Sequence, residues 1–207
     1  MIKLNNISVS FDKKLVVDNF SFEFKAGKKY AIMGESGCGK TTILNAIAGL
    51  VKLNSGEIAK PANCKISYVF QEPRLFDWLT VKENVSIVSG DDKRLADADQ
   101  KVQKILSSLG LSETLDQYPP ELSGGMKQRV SIARALAYDP NVILIDEPFK
   151  ALDNETRTKT ADYLFEICKN KTVIMVTHDI SDTNYVDVIL NVESTPITDL
   201  SMVKSSI

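Results

Sequence analysis

The pattern of apolar and polar positions predicts strands at both ends of the chain and helices in its middle. Near the start, Phe20, Phe22 and Phe24 alternate with polar residues, which is the period-two pattern of a half-buried strand. Residues 7–11 and 30–33 also have strand patterns, and residues 57–70 return to strand character. Between them, a helix is expected at 42–50, with one apolar face formed by Ile43, Leu44, Ile47 and Leu50.

The second half of the chain predicts a helical block followed by alternating strands and helices. Helices are expected at 81–88, at 95–109 and from 124 onward, and then strands at 142–145, 173–176 and 188–190 around a helix at 155–168. Apolar strands that alternate with helices indicate a parallel sheet covered on both faces. We therefore predict an α/β fold with a mixed or parallel sheet, an N-terminal antiparallel β region and an inserted helical lobe at about 75–138. The whole chain, 1–207, is predicted to be one domain.

Composition narrows the classes of function. The chain has 25 Lys and Arg against 27 Asp and Glu, a net charge of −2, which argues against a nucleic-acid coat protein. No apolar run approaches the length of a membrane span, and the first residues lack the apolar stretch of a secretory signal. Three cysteines without metal-like spacing fit free thiols in a reducing compartment. We expect a cytoplasmic protein that does not bind nucleic acid.

The first chemical motif is a glycine-rich loop between a predicted strand and a predicted helix. The run from Gly34 to Thr41 reads Gly-Glu-Ser-Gly-Cys-Gly-Lys-Thr and fits the G-x-x-x-x-G-K-[ST] pattern. Its glycines allow backbone N–H groups to surround a phosphate, which the helix N-terminus also attracts. Lys40 is predicted to reach the β- and γ-phosphates, and the Thr41 hydroxyl to hold Mg²⁺. The alternative is a glycine turn before a helix.

The second motif is a pair of acids at the end of a buried strand. Asp146 and Glu147 follow the apolar run at 142–145, so they are expected at the carboxyl edge of the sheet, where open α/β folds bind ligands. Asp146 would hold Mg²⁺, and Glu147 would orient or deprotonate an attacking water. Taken alone, the pair could equally be a solvated strand end.

The third motif is a second helix start with anion-binding features. Ser123 is a plausible N-cap, Gly124 and Gly125 leave backbone N–H groups uncovered, and a basic helix follows. By itself this run is more typical of an ordinary capped helix. Two such starts in one chain raise the question of which phosphate the second one binds.

These motifs together resemble the ATP-binding subunit of ABC transporters over essentially the whole chain. The stretch 122–126 is similar to that superfamily's signature motif, which implies a P-loop NTPase core and a head-to-tail homodimer. Each ATP would then lie between Lys40 of one subunit and Ser123 and Gly125 of the other. The resemblance implies ATP and Mg²⁺ as cofactors and assigns nucleotide contacts to Phe11, Val16, Gly34, Glu35, Ser36, Gly37, Cys38, Gly39, Lys40, Thr41, Thr42, Ser123, Gly124 and Gly125.

Further residues match family elements by position. The resemblance implies that Gln71 contacts Mg²⁺ and the attacking water, and that Asp153 crosses the dimer interface, although Asp153 could also cap the next helix. His178, the only histidine, resembles the switch residue that contacts the γ-phosphate and supports Glu147. The chain departs from many relatives at Lys150, where they carry Ser or Gly. Catalytic roles are therefore expected for Glu147, His178, Gln71 and Lys40, and metal contacts for Thr41, Gln71 and Asp146.

The stretch 71–81 is similar to importers of the nitrate, sulfonate and taurine type. Phe76 and Trp78 would form an exposed apolar patch in it unless covered. By resemblance, a membrane permease covers them, an extracytoplasmic solute-binding protein supplies the solute, and the chain lies at the inner face of the membrane. The alternative is that both aromatic residues pack beneath the helical lobe.

Two other functions compete with transport. A soluble ABC-type ATPase of DNA maintenance would insert a long coiled coil, whereas residues 42–121 lack sustained heptads, and translation-factor relatives carry two sets of motifs. A GTPase would need an acidic residue after Asn170-Lys171-Thr172, where this chain has Val173.

Overall fold

A computed structural model describes residues 1–12, 14–89 and 95–204 of the chain. The first half contains β1 (Ile2–Phe11), β2 (Lys14–Phe24), β3 (Lys29–Met33), α1 (Lys40–Ala48), β4 (Ser55–Ala59) and β5 (Ile66–Val69). Three helices follow, α2 (Val81–Ser86), α3 (Leu95–Ser108) and α4 (Gly124–Ala137). The last part contains β6 (Val142–Asp146), α5 (Asn154–Ile167), β7 (Thr172–Val176), β8 (Val188–Asn191) and β9 (Ser201–Lys204). Short 3-10 helices occupy Ile87–Ser89, Ser112–Thr114, Pro119–Glu121 and Ile180–Tyr185.

The strands of the described residues form two sheets. An antiparallel sheet has the order β2-β1-β4, and a six-stranded sheet has the order β5-β6-β7-β3-β8-β9. In the larger sheet, β7 pairs in parallel with β6 and β3, β3 pairs in parallel with β8, and β9 is an antiparallel edge strand. The predicted mixed α/β fold with an antiparallel N-terminal β region is confirmed.

Most predicted elements are present, with two corrections around α1. This helix begins at Lys40, two residues earlier than predicted, because Gly39 turns the chain directly into it. It ends at Ala48, where Gly49 adopts φ 77° as a C-cap. Leu50 therefore lies beyond the helix and is 55% exposed, so its assignment to the apolar face of this helix was wrong. The other predicted face residues, Ile43, Leu44 and Ile47, are fully buried.

The register of the central strands determines which loops meet at one edge of the larger sheet. Asp146 of β6 is opposite Val176 of β7, and Val176 is also opposite Ile32 of β3. The three strands run in parallel, so their carboxyl ends lie side by side. Three loops therefore start next to one another: the glycine loop after β3, the loop that begins with Glu147 after β6, and the loop that begins with Thr177 after β7.

The chain divides into two compact units. Unit 1 contains Met1–Tyr68, Asn141–Glu147 and Asn170–Ile207, and its core includes Phe20, Phe24, Ile32, Ile47 and Leu144. In this unit α1 contacts β2, β6 and β7.

Unit 2 contains Val69–Pro140 and Pro148–Lys169. Its helices α2, α3 and α4 contact one another, and α4 also contacts α5. The segment 75–138, predicted as a helical lobe, lies in unit 2. Among the described residues, no helix is both long enough and apolar enough to cross a membrane.

Candidate functional site

The glycine-rich loop of unit 1 is closely packed against β2. Gly39 has φ +106°, in the region that favours glycine, and a Cβ atom there would lie 2.7 Å from Cγ1 of Val16. Gly34, at the other end of the loop, would place a Cβ 3.0 Å from the Val192 carbonyl oxygen. Val16 is thus a buried support of the loop. The sequence predicted glycine at these positions because the backbone must turn its N–H groups toward a phosphate. The structure adds a second reason, since a Cβ atom at either position would come too close to Val16 or Val192.

Lys40 lies inside this loop at the first position of α1. Its Nζ donates to the carbonyl oxygens of Gly34 at 2.9 Å and of Glu35 at 2.6 Å, and the side chain is buried. Gly39 is the N-cap of α1, and no side chain of the described residues caps it. A buried ammonium group and a helix start without a side-chain cap together form a strong anion-binding arrangement.

Thr41 and Asp146 meet at the same place, although they are far apart in sequence. Thr41 Oγ1 donates to Asp146 Oδ2 at 2.8 Å, and Asp146 is almost completely buried. Burial raises the pKa of the Asp146 carboxyl, the Thr41 hydrogen bond opposes that change, and nearby Glu147 adds to it. The Thr41 hydroxyl and the buried Asp146 carboxylate are oxygen donors suited to Mg²⁺, so these residues fit the predicted ion.

Glu147 and His178 form the other predicted pair in unit 1. Glu147 Oε1 lies 3.2 Å from His178 Nδ1, a hydrogen-bond distance for a ring N–H that donates to a carboxylate. Glu147 has φ +45°, which is uncommon for a non-glycine residue, and its N–H donates to the Val176 carbonyl oxygen at 2.9 Å. Backbone strain of this kind is concentrated at functional sites.

Phe11 lies at the end of β1, also in unit 1, and is 46% exposed. A core phenylalanine would be buried, so its ring is exposed enough to stack on a base. Phe11 is opposite Lys14 in the β1–β2 pairing, close along the chain to the loop support Val16.

The signature stretch lies in unit 2, at the start of α4. Ser123 Oγ accepts a hydrogen bond from the Met126 N–H at 3.2 Å, which confirms the predicted N-cap. A Cβ atom at Gly125 would lie 3.0 Å from the Ala151 carbonyl oxygen. The signature stretch is therefore packed against the loop that precedes Asp153.

Asp153 caps α5, as the sequence allowed. Its Oδ1 accepts a hydrogen bond from the Thr156 N–H at 3.0 Å, and this bond lowers the pKa of the Asp153 carboxyl. Lys150, the departure noted above, is exposed three residues earlier. Gln71 is also exposed in unit 2, directly after Phe70, whose carbonyl oxygen accepts from Gln128 Nε2 of α4 at 3.3 Å.

The aromatic loop of unit 2, residues 76–80, presents Trp78 to solvent. Trp78 is 73% exposed, and its ring lies 5.3 Å from that of Phe76 between centroids. The alternative that both residues pack beneath the helical lobe is wrong for Trp78. Asn84 holds the loop, since its side chain accepts from the Phe76 N–H at 2.9 Å and donates to the carbonyl oxygens of Phe76, Leu79 and Thr80.

Sequence reasoning missed the residues that hold these loops in place. Asn84 is fully buried and belongs to the helix that Thr80 and Glu83 begin with a capping box. The Ser/Thr-x-x-Glu pattern at 80–83 was a readable signal for that helix start. Thr177 and Asp182, which hydrogen-bond beside His178, gave no signal of comparable strength.

Three comparisons with known proteins agree with this geometry. The family model described as ABC transporter matches residues 17–150. The chain is 43% identical over 198 residues to an aliphatic sulfonates import ATP-binding protein of Bacillus cereus, covering 89% of this chain and 77% of the relative. It is 40% identical to a thiamine import ATP-binding protein of Histophilus somni, covering 88% and 89%. A dimeric ATP-binding cassette, solved in a post-hydrolysis state with ADP and Pi, matches with a TM-score of 0.87 at 31% identity, covering 99% of this chain and 98% of that one.

Proposed function

The chain belongs to the ABC transporter family and is the ATP-hydrolysing subunit of an importer, and from that premise we propose which residues perform each step and which solute it serves. The observation that supports these roles is the meeting of three sequence-distant groups in unit 1. Lys40 lies in the glycine loop, Thr41 contacts Asp146, and Glu147 contacts His178.

ATP is anchored through its phosphates and its base. The N–H groups at the start of α1 and the Lys40 ammonium bind the β- and γ-phosphates, and the phosphate competes with the loop carbonyls for the ammonium group. Phe11 stacks on adenine, and Val16 supports the loop from β2. Placement of the reacting phosphate is the main contribution of these residues.

Thr41 and Asp146 would hold Mg²⁺. When bound, the ion neutralises charge on the β- and γ-phosphates. Gln71 is proposed as a further contact on the family resemblance. The rest of hydrolysis is assigned to protein groups: Glu147 orients or deprotonates the attacking water, and His178 holds the Glu147 carboxylate in place and contacts the γ-phosphate.

We assign the second helix start, at α4, to the ATP held by another copy of the chain. Ser123 and Gly125 would contact that ATP's γ-phosphate, and Asp153 would approach the partner subunit. This gives a homodimer with two shared ATP molecules. The solved dimeric cassette supports that arrangement.

The aromatic loop is proposed to contact a membrane permease, which places the chain at the inner face of the membrane. Trp78 is exposed beside the half-exposed Phe76, and Asn84 holds the loop that carries them. Exposed aromatic residues on an ordered loop are typical of protein–protein contact sites. For the solute we propose sulfonates, delivered by an extracytoplasmic binding protein. The sulfonate relative and the similarity at 71–81 support this choice over thiamine.

The hydrolytic role is tested with Glu147→Gln, which keeps the side chain's shape and removes its basicity. The variant is expected to bind ATP, form a stable ATP-dependent dimer and hydrolyse ATP about 100- to 10,000-fold more slowly. Binding is measured by nucleotide titration, dimerisation by light scattering, and turnover by phosphate release.

Glu57→Gln is the matched control, because Glu57 is an exposed acid in the antiparallel sheet that contacts Asn5. It should retain the unmodified rate. Wild-type turnover in Glu147→Gln would refute the assignment of Glu147.

The solute class is tested in the native organism. Deletion of the gene should abolish growth on an alkanesulfonate as sole sulfur source and leave growth on sulfate intact. A thiamine requirement in its place would contradict the sulfonate proposal. Purification of the tagged chain from native membranes should recover a permease, and recovery of the chain without one would contradict the proposed permease contact.

A further inference from the structure

Thr177 and Asp182 form a buried hydrogen bond next to His178. Thr177 directly follows β7, Asp182 lies on the 3-10 helix Ile180–Tyr185, and their exposed fractions are only 2% and 4%. Thr177 Oγ1 donates to Asp182 Oδ2 at 2.5 Å. Hydroxyl-to-carboxylate bonds of this length are among the stronger hydrogen bonds in proteins. The pair is therefore a firm connection between the end of β7 and the 3-10 helix.

The same pair fixes the backbone on both sides of His178. The Thr177 hydroxyl also accepts a hydrogen bond from the Asp179 N–H at 3.1 Å. The Asp182 N–H donates to the Asp179 carbonyl oxygen at 3.2 Å, and the Ser181 N–H donates to Asp179 Oδ1 at 2.9 Å. The residues before and after His178 are thus held by one buried network.

The imidazole ring of His178 is supported very differently. Its side chain is 61% exposed, and its Nδ1 lies 3.2 Å from Glu147 Oε1. An exposed ring is not located by close packing, so its position depends on the backbone that carries it. Because Asp146 is opposite Val176, Glu147 and Thr177 begin neighbouring loops, and a shift of residues 177–179 changes the Glu147–His178 distance directly.

We propose that Thr177 and Asp182 are positioning residues for the hydrolysis reaction, which keep His178 within hydrogen-bond reach of Glu147. The assignment rests on the proposed function, which gives Glu147 and His178 their roles. Both positioning residues are almost completely buried, so they are assigned no contact with ATP. Their effect on the reaction passes through His178, and that dependence makes the proposal testable.

The kinetic test uses graded variants of the pair, measured as kcat and KM for ATP. Asp182→Ala and Thr177→Val should each lower kcat about 10-fold, the factor expected when a displaced His178 loses one hydrogen bond to a charged group in the transition state. KM should change by less than about twofold, because the loss falls on the chemical step. Thr177→Ser keeps the hydroxyl and should restore most of the rate, and Asp182→Asn keeps an acceptor and should be intermediate.

A double-mutant cycle with His178→Ala separates positioning from general damage. In that background, single-turnover hydrolysis of radiolabelled ATP should be slowed less than about twofold by Asp182→Asn or Thr177→Val, since the residue through which they act is gone. An equal slowing in both backgrounds would overturn the proposal. So would a rise in KM at unchanged kcat.

An independent readout comes from the ring of His178 itself. It is the only histidine in the sequence, so its imidazole carbon-bound protons give one set of NMR signals. Thr177→Val and Asp182→Asn should shift or broaden these signals, and Thr177→Ser should leave them near their original positions. Unchanged ring signals in Thr177→Val would contradict the proposal even where kcat falls.

Thr183→Val is the matched control on the same 3-10 helix. Thr183 is buried and its hydroxyl donates to the Ile180 carbonyl oxygen at 2.6 Å, so its loss also removes one short, partly buried hydrogen bond of a threonine hydroxyl. This variant should lose thermal stability and keep kcat and the His178 signals. If His178→Ala alone hydrolysed ATP at the wild-type rate, the proposed role of His178 in hydrolysis would be refuted, and that result is distinct from a failure of the Thr177–Asp182 cycle.

Discussion

The starts of α1 and α4 have similar sequences and different structures. Each has a glycine at or beside the helix N-terminus and a lysine in the first turn. At α1, Gly39 adopts φ +106°, no described side chain caps the helix, and Lys40 is buried in the loop. At α4, the Ser123 hydroxyl caps the helix and Lys127 is partly exposed.

This difference shows that a glycine-rich helix start does not by itself specify one function. At the α1 start, no described side chain caps the backbone N–H groups, and the Lys40 ammonium lies beside them. These groups of one chain are sufficient to bind a phosphate. The α4 start has already satisfied one N–H group with its own side chain. It is suited to complete a site that another subunit has begun.

The largest expected effect separates the two lysines. Lys40→Ala should lower kcat/KM for ATP about 100-fold, because it removes the charged group that we propose as the contact of the transferred phosphate. Lys127→Ala should change the same ratio by less than about threefold, as expected for a partly exposed charge. Steady-state phosphate release measures both, and similar losses in the two variants would remove the distinction between the helix starts.

The second prediction separates capping from phosphate contact at α4. Aspartate caps helices as well as serine does, so Ser123→Asp should keep the melting temperature. Its negative charge would face the partner's γ-phosphate and should weaken ATP-dependent dimerisation about tenfold or more. Ser123→Asn, an uncharged cap, is the control. Unimpaired dimerisation of Ser123→Asp, measured by light scattering with ATP, would show that this helix start binds no phosphate.

The third prediction compares the glycines. Gly39→Ala should destabilise the fold by about 1–3 kcal/mol, because its φ is strained for alanine and the new methyl group meets Val16. Gly124→Ala should be neutral or stabilising by up to about 1 kcal/mol, since it lies in a helix and its Cβ meets no described atom within 4 Å. Urea unfolding without nucleotide checks both values, and equal destabilisation would contradict the assigned loop geometry.

The smallest expected effect concerns two acids. Asp146 contacts Thr41 at the start of α1, and Asp153 caps α5, directly after the loop against which the start of α4 packs. The pKa of Asp146 is raised by burial, so its contribution to stability is greatest at low pH and declines as the pH rises through its folded-state pKa. The pKa of Asp153 is lowered by the Thr156 hydrogen bond, so its contribution is present at neutral pH and declines as the pH falls through its folded-state pKa.

Melting curves from about pH 3 to pH 7, without nucleotide or Mg²⁺, measure this difference. The melting temperature of Asp146→Asn, relative to that of the unmodified chain, should rise by a few degrees as the pH rises. The relative melting temperature of Asp153→Asn should fall slightly over the same range. The same pH trend in both variants would contradict the opposite pKa directions.

Sequence patterns predicted the motifs and most elements because both depend on residues close together in the chain. The alternation of Phe20, Phe22 and Phe24 identified β2, and the glycine spacing identified the phosphate loop. The Ser123 and Asp153 caps were readable for the same reason, since each bonds an N–H three residues away. The extent of the first helix was less predictable, because the exposure of Leu50 depends on where Gly49 ends it.

Only the tertiary structure decided which of these pieces meet. Thr41 contacts Asp146 across 105 residues, and Glu147 contacts His178 across 31, because β7 lies between β6 and β3 in parallel register. No local periodicity encodes that strand order. The tertiary structure also placed the Thr177–Asp182 hydrogen bond beside the backbone of His178. The sequence by itself determined that this chain has a phosphate loop and two acids after a strand, and the sheet determined that they form one site.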